Sequence, residues 1–523
     1  MDYLKIGKAT ELSGGDRKLY RILEILPGFL SWGTLLVLIF LSYFQPVFTA
    51  FFIIAFDVYW LLLVVYLGIH LIVSFRKLKQ NLKINWREKC LSLTDVEVAQ
   101  IKDYEAVVKK LSWNDIIHLI VCPIYKESRE VINTTVEAIV NSAYPGDNMI
   151  LVLAVEGRAG EEAERRVVEA REKYRNKFRN LIVTVHPDGI QGEIKGKGSN
   201  QAWAAQIIKK ELIDKENIDY DKILVSVFDV DTVIYPDYFY CLTYRFLTVD
   251  NPYRASFQPI PIYHNNIWRA PFFARVAANS NSFWQMMQQI RQEKLATYSS
   301  HSMTWRALTD IGFWSKNMVS EDSRIFWHCF CYYRGDYRVE PMYYPVSMDI
   351  CMDETMKQTA INLYKQQRRW GWGVENVPYL IFNTIKGWGY LPRKKMINRI
   401  LVQIYGFHSW ATNALIIAVV GWMPMILGGD RFNSTVLSSN LPQVTRQLMM
   451  LAMSGLVLSA IVSTMLLPKR PKKFGFLKSV AMLVQWLILP VSIIVFGAIP
   501  GLEAQTRLMF GKYLGFWVTP KRR

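Results

Sequence analysis

The sequence predicts an α/β domain with a mostly parallel sheet, joined to a bundle of α-helices that cross a membrane. Two observations support this prediction. Long apolar runs lie near the start and in the last quarter of the 523 residues, whereas the middle alternates short apolar runs with amphipathic stretches. With 51% hydrophobic and 20% charged residues, the chain is too apolar to be disordered and too charged to lie wholly in lipid.

The first predicted element is an N-terminal segment, residues 1–75, with two transmembrane helices. A helix needs about 17–25 apolar residues to cross the hydrocarbon, and residues 27–44 and 50–75 are long enough. Charge-free stretches predict about three more spans in a C-terminal region, residues 400–523, at 400–429, 447–468 and 479–502. We therefore expect a multi-pass integral membrane protein, with the plasma membrane as its location.

Clusters of Lys and Arg flank four of these spans and predict their orientation. They lie before the first and third spans and after the second and fourth. The positive-inside rule places all four clusters in the cytoplasm, together with residues 76–399. Five crossings would leave Lys521 and Arg522 on the opposite side, against the same rule. Either Pro490 breaks the last segment into a re-entrant hairpin or one span is miscounted.

The formal net charge of +18 indicates anionic partners, a class that includes lipid surfaces, nucleic acids and phosphorylated substrates. Much of this charge lies in the clusters beside the spans, so membrane lipids account for it and no nucleic-acid partner is predicted. The sequence identifies no protein partner.

Between the two groups of spans, residues 76–115 form a predicted charged linker and residues 116–380 a predicted cytoplasmic domain. Apolar runs typical of buried strands occur in this domain at 116–122, 149–155, 181–186 and 223–228. Helical stretches separate them, at 130–142, 161–178 and 199–213. This alternation predicts a mostly parallel sheet with helices on both faces. Residues 381–399 carry aromatic and basic side chains and are predicted to be an interfacial amphipathic segment.

Ligands of such sheets bind beyond the carboxyl ends of the strands, and polar residues stand at those points. In chain order they are Pro123, Tyr125, Glu127, Glu156, Lys197, Asp229 and Asp231. Asp229 and Asp231 flank a single residue after the fourth strand, where two carboxylates can hold a divalent cation whose remaining ligands are phosphate oxygens. The alternative is that they are solvated acids or helix caps.

Three other motifs for metal or phosphate binding do not fit the spacing. An EF-hand beginning at Asp229 needs Gly and Glu at the positions that Ile234 and Tyr240 occupy. Residues 192–197 are one residue too short for a Walker A loop. No GxGxxG follows the first strand, which excludes the dinucleotide-binding motif.

Two later motifs complete the set. They are Glu321 with Asp322, and a QxxRW formed by Gln366, Arg369 and Trp370. In this order and between these spans, the motifs resemble those of membrane-integrated glycosyltransferases of family 2, the superfamily of cellulose, chitin and hyaluronan synthases. The resemblance covers residues 116–380 and the flanking spans, and it implies a GT-A fold. The sequence departs from the usual motifs in having Lys126 for Asn, the single Glu156 for two Asp, and Ser320 for Thr.

The resemblance implies an inverting, metal-dependent glycosyltransferase that uses a cytoplasmic nucleotide-sugar donor, with uridine as the expected base. The residues implied to hold the nucleotide are Pro123, Tyr125, Glu127, Glu156, Lys197 and Asp229. Asp229 and Asp231 are expected to bind Mg²⁺ or Mn²⁺, which neutralises charge on the leaving diphosphate. The residues expected to contact the diphosphate and the acceptor are Gln366, Arg369 and Trp370. Asp322 is the expected general base for the acceptor hydroxyl.

Two questions stay open at this point. The enzyme either builds a polysaccharide processively, which QxxRW favours, or makes a single transfer to a lipid or short glycan, which the small number of spans favours. The alternative from a different class is a non-catalytic membrane regulator that binds nucleotides with a retained GT-A fold. The presence of Asp229, Asp231 and Asp322 favours the enzyme, because degenerate enzymes usually lose the metal carboxylates or the base.

Overall fold

The computed structural model of the protein describes residues 3–93 and 111–522. Part of the predicted linker, residues 94–110, lies outside the described residues. The chain begins with two long helices, α1 (Gly14–Phe44) and α2 (Pro46–Asn81), followed by the short α3 (Trp86–Leu91). Helix α2 continues past the expected end at residue 75, because its last turn packs on the α/β domain. There Asn81 Nδ2 donates to the Met342 carbonyl at 3.2 Å.

Within the described residues, eight strands form one sheet in the order β3-β2-β1-β4-β7-β6-β8-β5. Their bounds are β1 (Ile117–Ile124), β2 (Met149–Glu156), β3 (Asn180–His186), β4 (Ile223–Val227), β5 (Val233–Ile234), β6 (Ala255–Tyr263), β7 (Ser302–Thr304) and β8 (Arg338–Met348). Strand β1 pairs in parallel with β2 and β4, and β2 pairs in parallel with β3, as predicted. Strand β7 is antiparallel to β4 and β6, whereas β6 and β8 are parallel and β5 is antiparallel to β8. The sheet is therefore mixed but mostly parallel.

Helices cover both faces of the parallel half of the sheet. Helices α4 (Arg129–Val140) and α5 (Glu161–Tyr174) pack on one face, and α6 (Lys197–Ile208) packs on the other. One side of α5 is buried, and its residues are Ala163, Val167, Ala170 and Tyr174. Because both faces are hidden from water, β1 and β2 are apolar nearly throughout instead of alternating with polar residues.

The second half of the domain contains six more helices. They are α7 (Tyr238–Thr248), α8 (Phe272–Ile290), α9 (Trp305–Asp310), α10 (Glu321–Tyr332), α11 (Met356–Gly371) and α12 (Asn376–Lys386). Helix α8 joins the sheet to the spans, since its Phe283 and Met286 are buried in one cluster with Ile260 of β6 and with Leu71 and Phe75 of α2. Burial of these side chains fixes the α/β domain on the end of α2.

Five helical segments in the described part of the chain are long and apolar enough to cross a membrane. Helices α1 and α2 are the first two. The remaining three are Arg393–Leu427, Val436–Leu466 and Phe476–Met509. They are built from α13 (Arg393–Ala418), α14 (Met423–Leu427), α16 (Val436–Ala452), α17 (Ser454–Leu466), α18 (Phe476–Val484), α19 (Leu489–Ile493) and α20 (Ile499–Met509), and the short α15 (Gly429–Asn433) lies between the third and fourth segments. The chain thus has the elements of a membrane protein, an α/β domain and a helical bundle.

In the last of these segments, a 3₁₀ turn (Gln485–Ile488) and a π turn (Ile494–Ala498) join the three α-helices, and Pro490 lies in the first turn of α19. At its beginning, Met482 is buried in a cluster with the ends of β6 and β8. At its other end, the carbonyl of Leu508 accepts a hydrogen bond from Arg21 Nη1 at 2.8 Å, and Arg21 precedes the first predicted span. Both ends of the segment therefore contact the part of the molecule that carries the α/β domain.

Candidate functional site

The candidate site lies at the carboxyl end of the parallel strands, where Lys197 joins two distant parts of the chain. Lys197 is the first residue of α6. Its Nζ lies 2.7 Å from Asp229 Oδ1, just after β4. The same Nζ lies 2.9 Å from both Asp322 Oδ1 and Asp322 Oδ2, in the first turn of α10. One ammonium group thus contacts the first DxD carboxylate and the predicted base.

The charges of this cluster stabilise each other. Burial alone would lower the pKa of the Lys197 ammonium, but Asp229 and Asp322 outweigh burial and raise that pKa above its ordinary value. Burial alone would raise the pKa of the Asp229 carboxyl, but the cations of Lys197 and Lys521 outweigh burial and hold that pKa well below its usual range. Lys197 and Asp229 are therefore both charged at neutral pH.

The DxD carboxylates also have partners beyond Lys197. Asp229 Oδ2 accepts a hydrogen bond from Ser299 Oγ at 2.8 Å. Asp231 is almost fully buried, and its Oδ2 accepts from the backbone N–H of Asp349 at 3.0 Å. Its Oδ1 forms an ion pair with Lys521. The second aspartate is therefore held by the main chain on one side and neutralised by a lysine on the other.

The predicted nucleotide residues that follow β1 and β2 lie together. The backbone N–H of Tyr125 donates to Glu127 Oε2 at 2.7 Å, and Pro123 lies near the end of β1. Arg158, which is not among the predicted site residues, donates through Nε to Glu156 Oε2 at 2.5 Å. The guanidinium carbon of Arg158 lies 4.4 Å from the centroid of the Tyr125 ring. The contact of the Arg158 guanidinium with the Tyr125 ring therefore connects the residues that follow β1 with those that follow β2.

The QxxRW residues lie in the last turns of α11. Gln366 is buried, and Trp370 packs in the apolar cluster of Tyr263. Burial and the charge of Asp322 raise the pKa of the Glu321 carboxyl, and the charge of Arg369 opposes this rise. The charge of Arg369 therefore acts on the Glu321 carboxyl at the start of α10, whereas the Trp370 ring packs toward Tyr263 at the end of β6.

Several residues around the carboxylates were not identified from the sequence. They are Arg158, Ser299, Asp349, Phe516 and Lys521. Lys521 and Asp231 are 290 positions apart in the sequence. One feature of the sequence pointed to Lys521. Five membrane crossings would place this basic residue outside the cytoplasm, against the positive-inside rule.

The chemistry of the two aspartates suits Mg²⁺ or Mn²⁺, because hard divalent cations prefer carboxylate oxygens. In residues 3–93 and 111–522, no group of three or more His, Cys, Asp or Glu side chains is arranged to hold a metal ion alone. A cation on Asp229 and Asp231 would therefore take its other ligands from water or from the phosphates of a donor. Mg²⁺ sites in proteins usually keep several waters in this way and exchange some of them for substrate phosphates.

Residues 224–497 match the family described as "Glycosyl transferase family group 2". The match covers slightly more than half of the chain and begins in β4, so it includes both aspartates, Asp322 and the QxxRW residues. The chain belongs to this family, and the protein is a glycosyltransferase. The mixed α/β sheet is its GT-A domain.

Three solved structures show some similarity to the chain. The mannosyltransferase PcManGT from Pyrobaculum calidifontis, in complex with GDP-Man and Mn²⁺, is 12% identical with a TM-score of 0.42, over 78% of this chain and 98% of that chain. TarS 1–349 of S. aureus is 11% identical with a TM-score of 0.35, over 67% of this chain and 91% of that chain. The same TarS fragment with UDP-GlcNAc is 10% identical, with a TM-score of 0.30 and the same coverage. No curated protein sequence matches the chain.

Proposed function

We propose that the protein transfers a sugar, with inversion, from a nucleotide-diphosphate sugar to a hydroxyl of a glycan or lipid-linked acceptor. The observation that carries this proposal is the position of Lys197, whose Nζ lies 2.7 Å from Asp229 and 2.9 Å from Asp322. A DxD carboxylate and a candidate base therefore border one small space. A donor diphosphate bound at Asp229 would have its anomeric carbon beside Asp322.

The nucleotide would lie over the ends of β1 and β2. Tyr125 and Arg158 offer a ring and a guanidinium plane for the base, while Glu127 and Glu156 offer carboxylates to the ribose or base edge. Uridine is the base that the family resemblance favours. Pro123, which cannot donate a backbone hydrogen bond, would shape the floor of this subsite.

The diphosphate would lie between Lys197, Asp229 and Asp231. Mg²⁺ or Mn²⁺ on the two aspartates would neutralise the charge that develops as the glycosidic bond breaks. Lys197 would contribute a second positive charge from the α6 side of the site. Arg369, supported by Gln366, would close over the phosphate oxygens with its fork of N–H donors.

Asp322 would act as the general base. Its carboxylate would remove the proton from the acceptor hydroxyl while that oxygen attacks the anomeric carbon from the face opposite the diphosphate. In the structure this carboxylate is paired with the Lys197 ammonium, which holds it at the edge of the proposed diphosphate position. Trp370 would offer its ring to a sugar of the acceptor.

We also propose that the catalytic domain faces the cytoplasm of a plasma-membrane protein. The basic clusters beside four spans support this orientation. The contacts at both ends of the fifth segment support a re-entrant path, which leaves residues 510–522 on the same side as the catalytic domain.

The experiment is nucleoside diphosphate release by the purified protein in lipid, with a panel of UDP- and GDP-sugars and added Mg²⁺ or Mn²⁺. Metal-dependent release from one donor is the expected result, and sizing of the product would then separate processive synthesis from single transfer. Binding of a nucleotide sugar without release, in the presence of lipid and glycan acceptors, would contradict an enzyme and favour the nucleotide-binding regulator.

A further inference from the structure

The last described residues, 510–522, follow α20 and lie across the candidate site, and we call them the strap. The strap leaves the helix at Gly511, whose φ of +67° suits glycine. It contacts both sides of the site. Asn266 Nδ2 donates to the Arg522 carbonyl at 2.9 Å, and the Arg522 side chain pairs at 2.9 Å with Glu354.

Lys521 places the charge of the strap directly on the DxD. Its Nζ forms an ion pair with Asp231 Oδ1, and its side chain retains only 15% of its exposure. The charges of Asp231, Asp229 and Glu127 all act on this ammonium. The ammonium therefore occupies the negative centre of the site, among the carboxylates that are assigned to the metal and the nucleotide.

Phe516 covers the other side of the same site. Its ring lies so close to Gly196 that a Cβ at this position would stand 2.5 Å from the Phe516 Cγ. The ring centroid also lies 4.9 Å from the guanidinium carbon of Arg369. In the described residues, Arg369 Nε has no hydrogen-bond partner. The loop before Lys197 and the arginine of QxxRW are thus both covered by one side chain of the strap.

We propose that the strap is an intramolecular inhibitor that fills the donor site, with Lys521 in place of a divalent cation and Phe516 between Gly196 and Arg369. This proposal rests on the proposed function, because it assumes that Asp231 binds the metal of the donor. Donor and metal can bind only after the strap has left.

The contacts are suited to release. An ammonium and a divalent cation cannot both occupy Asp231 Oδ1, so metal binding and strap binding exclude each other. Arg522 is half exposed and pairs with the largely exposed Glu354, and exposed ion pairs of this kind contribute little to stability. Lys521 and Phe516 hold the strap over the site itself, whereas its beginning is held elsewhere by Tyr513, whose hydroxyl donates to Glu24 Oε2 at 2.8 Å. A strap that fills the site nine-tenths of the time would lower the apparent metal affinity about tenfold.

The first test is the binding of Mn²⁺ alone to the full chain in lipid nanodiscs, followed by the EPR signal of free Mn²⁺. We expect Lys521→Ala to bind Mn²⁺ about tenfold more tightly than wild type. Lys512→Ala, which removes an exposed lysine of the same strap, should bind like wild type. Asp231→Asn should abolish this binding in the Lys521→Ala background.

The second test reports the strap itself. Thr519 is buried, and the six native cysteines are also buried. A Thr519→Cys variant should therefore react slowly with a maleimide, and it should react several-fold faster when Mn²⁺ is added or when Lys521 is also replaced by Ala.

Three outcomes separate the two proposals. Equal Mn²⁺ binding in wild type and Lys521→Ala, lost in Asp231→Asn, would overturn the strap and leave the metal site in place. A maleimide rate that neither Mn²⁺ nor Lys521→Ala changes would also overturn the strap. Failure of Mn²⁺ to bind at Asp231 in every variant would overturn the metal site of the proposed function, and the competition with Lys521 along with it.

Discussion

Lys197 Nζ lies 2.9 Å from both carboxylate oxygens of Asp322. The contact joins the first turn of α6 to the first turn of α10, and the same ammonium also pairs with Asp229. The two helix starts also pack directly on each other, since a Cβ on Gly198 would stand 3.1 Å from Glu321 Cβ. The lysine bridges the base candidate and the first aspartate of the DxD at this contact. The predictions below follow from this arrangement.

Replacement of Lys197 by Ala should damage both folding and turnover. It leaves Asp229 and Asp322 without their shared cation in a largely buried site, which we expect to cost about 2–4 kcal/mol of stability. Lys195→Ala is the matched control, because Lys195 is 56% exposed and pairs with an exposed aspartate. Its expected cost is within about 0.5 kcal/mol. Thermal unfolding in detergent measures both, and equal midpoints for the two variants would contradict the central role of Lys197.

Replacement of Arg158 by Ala should weaken donor binding more than it slows the chemical step. Arg158 contacts Tyr125 and Glu156, which surround the proposed position of the base. We expect KM for the donor to rise about tenfold with a smaller change in kcat, as for a lost ground-state contact. Arg165→Ala is a suitable control, since Arg165 is 77% exposed on α5. A loss confined to kcat would place Arg158 outside the nucleotide subsite.

Stability should depend on pH through Glu321. Burial and the neighbouring Asp322 raise the pKa of Glu321 in the folded protein. The contribution of this group is complete below the ordinary pKa of an unfolded glutamate and is lost as the pH rises through the raised value. Between about pH 5 and pH 8, wild type should therefore lose stability relative to Glu321→Gln, by up to about 1.4 kcal/mol for each unit of pKa shift. If the unfolding midpoints of wild type and Glu321→Gln change by the same amount across this pH range, Glu321 is charged in the folded state.

The parallel half of the sheet could be predicted because its strands are long apolar runs separated by amphipathic helices. The antiparallel additions could not be predicted, since β5 has two residues and β7 has three, too few to show any period. Similarly, the residues that follow β1, β2 and β4 were predictable as a group from parallel topology. The contact of Lys521 with Asp231 was not, because no local pattern links positions so far apart.

The course of the fifth apolar segment shows the same limit. Hydropathy measures length and apolar character, so Phe476–Met509 appears as a span like the others. Its two ends are defined by packing, with Met482 among the strand ends and Leu508 beside Arg21. Pro490 was the one local sign that the segment is not a regular helix.

The measurement that tests the central claim most directly compares Asp322→Asn with wild type in two assays. One is metal-dependent nucleoside diphosphate release from the preferred donor, and the other is binding of that donor. Asp322→Asn should lose turnover by about a hundredfold or more, as expected for removal of a general base, while donor binding stays within a few-fold of wild type. Asp336→Asn, at an exposed aspartate, should leave both unchanged. Normal release by Asp322→Asn would contradict the assignment of the base and the account of the site built on it.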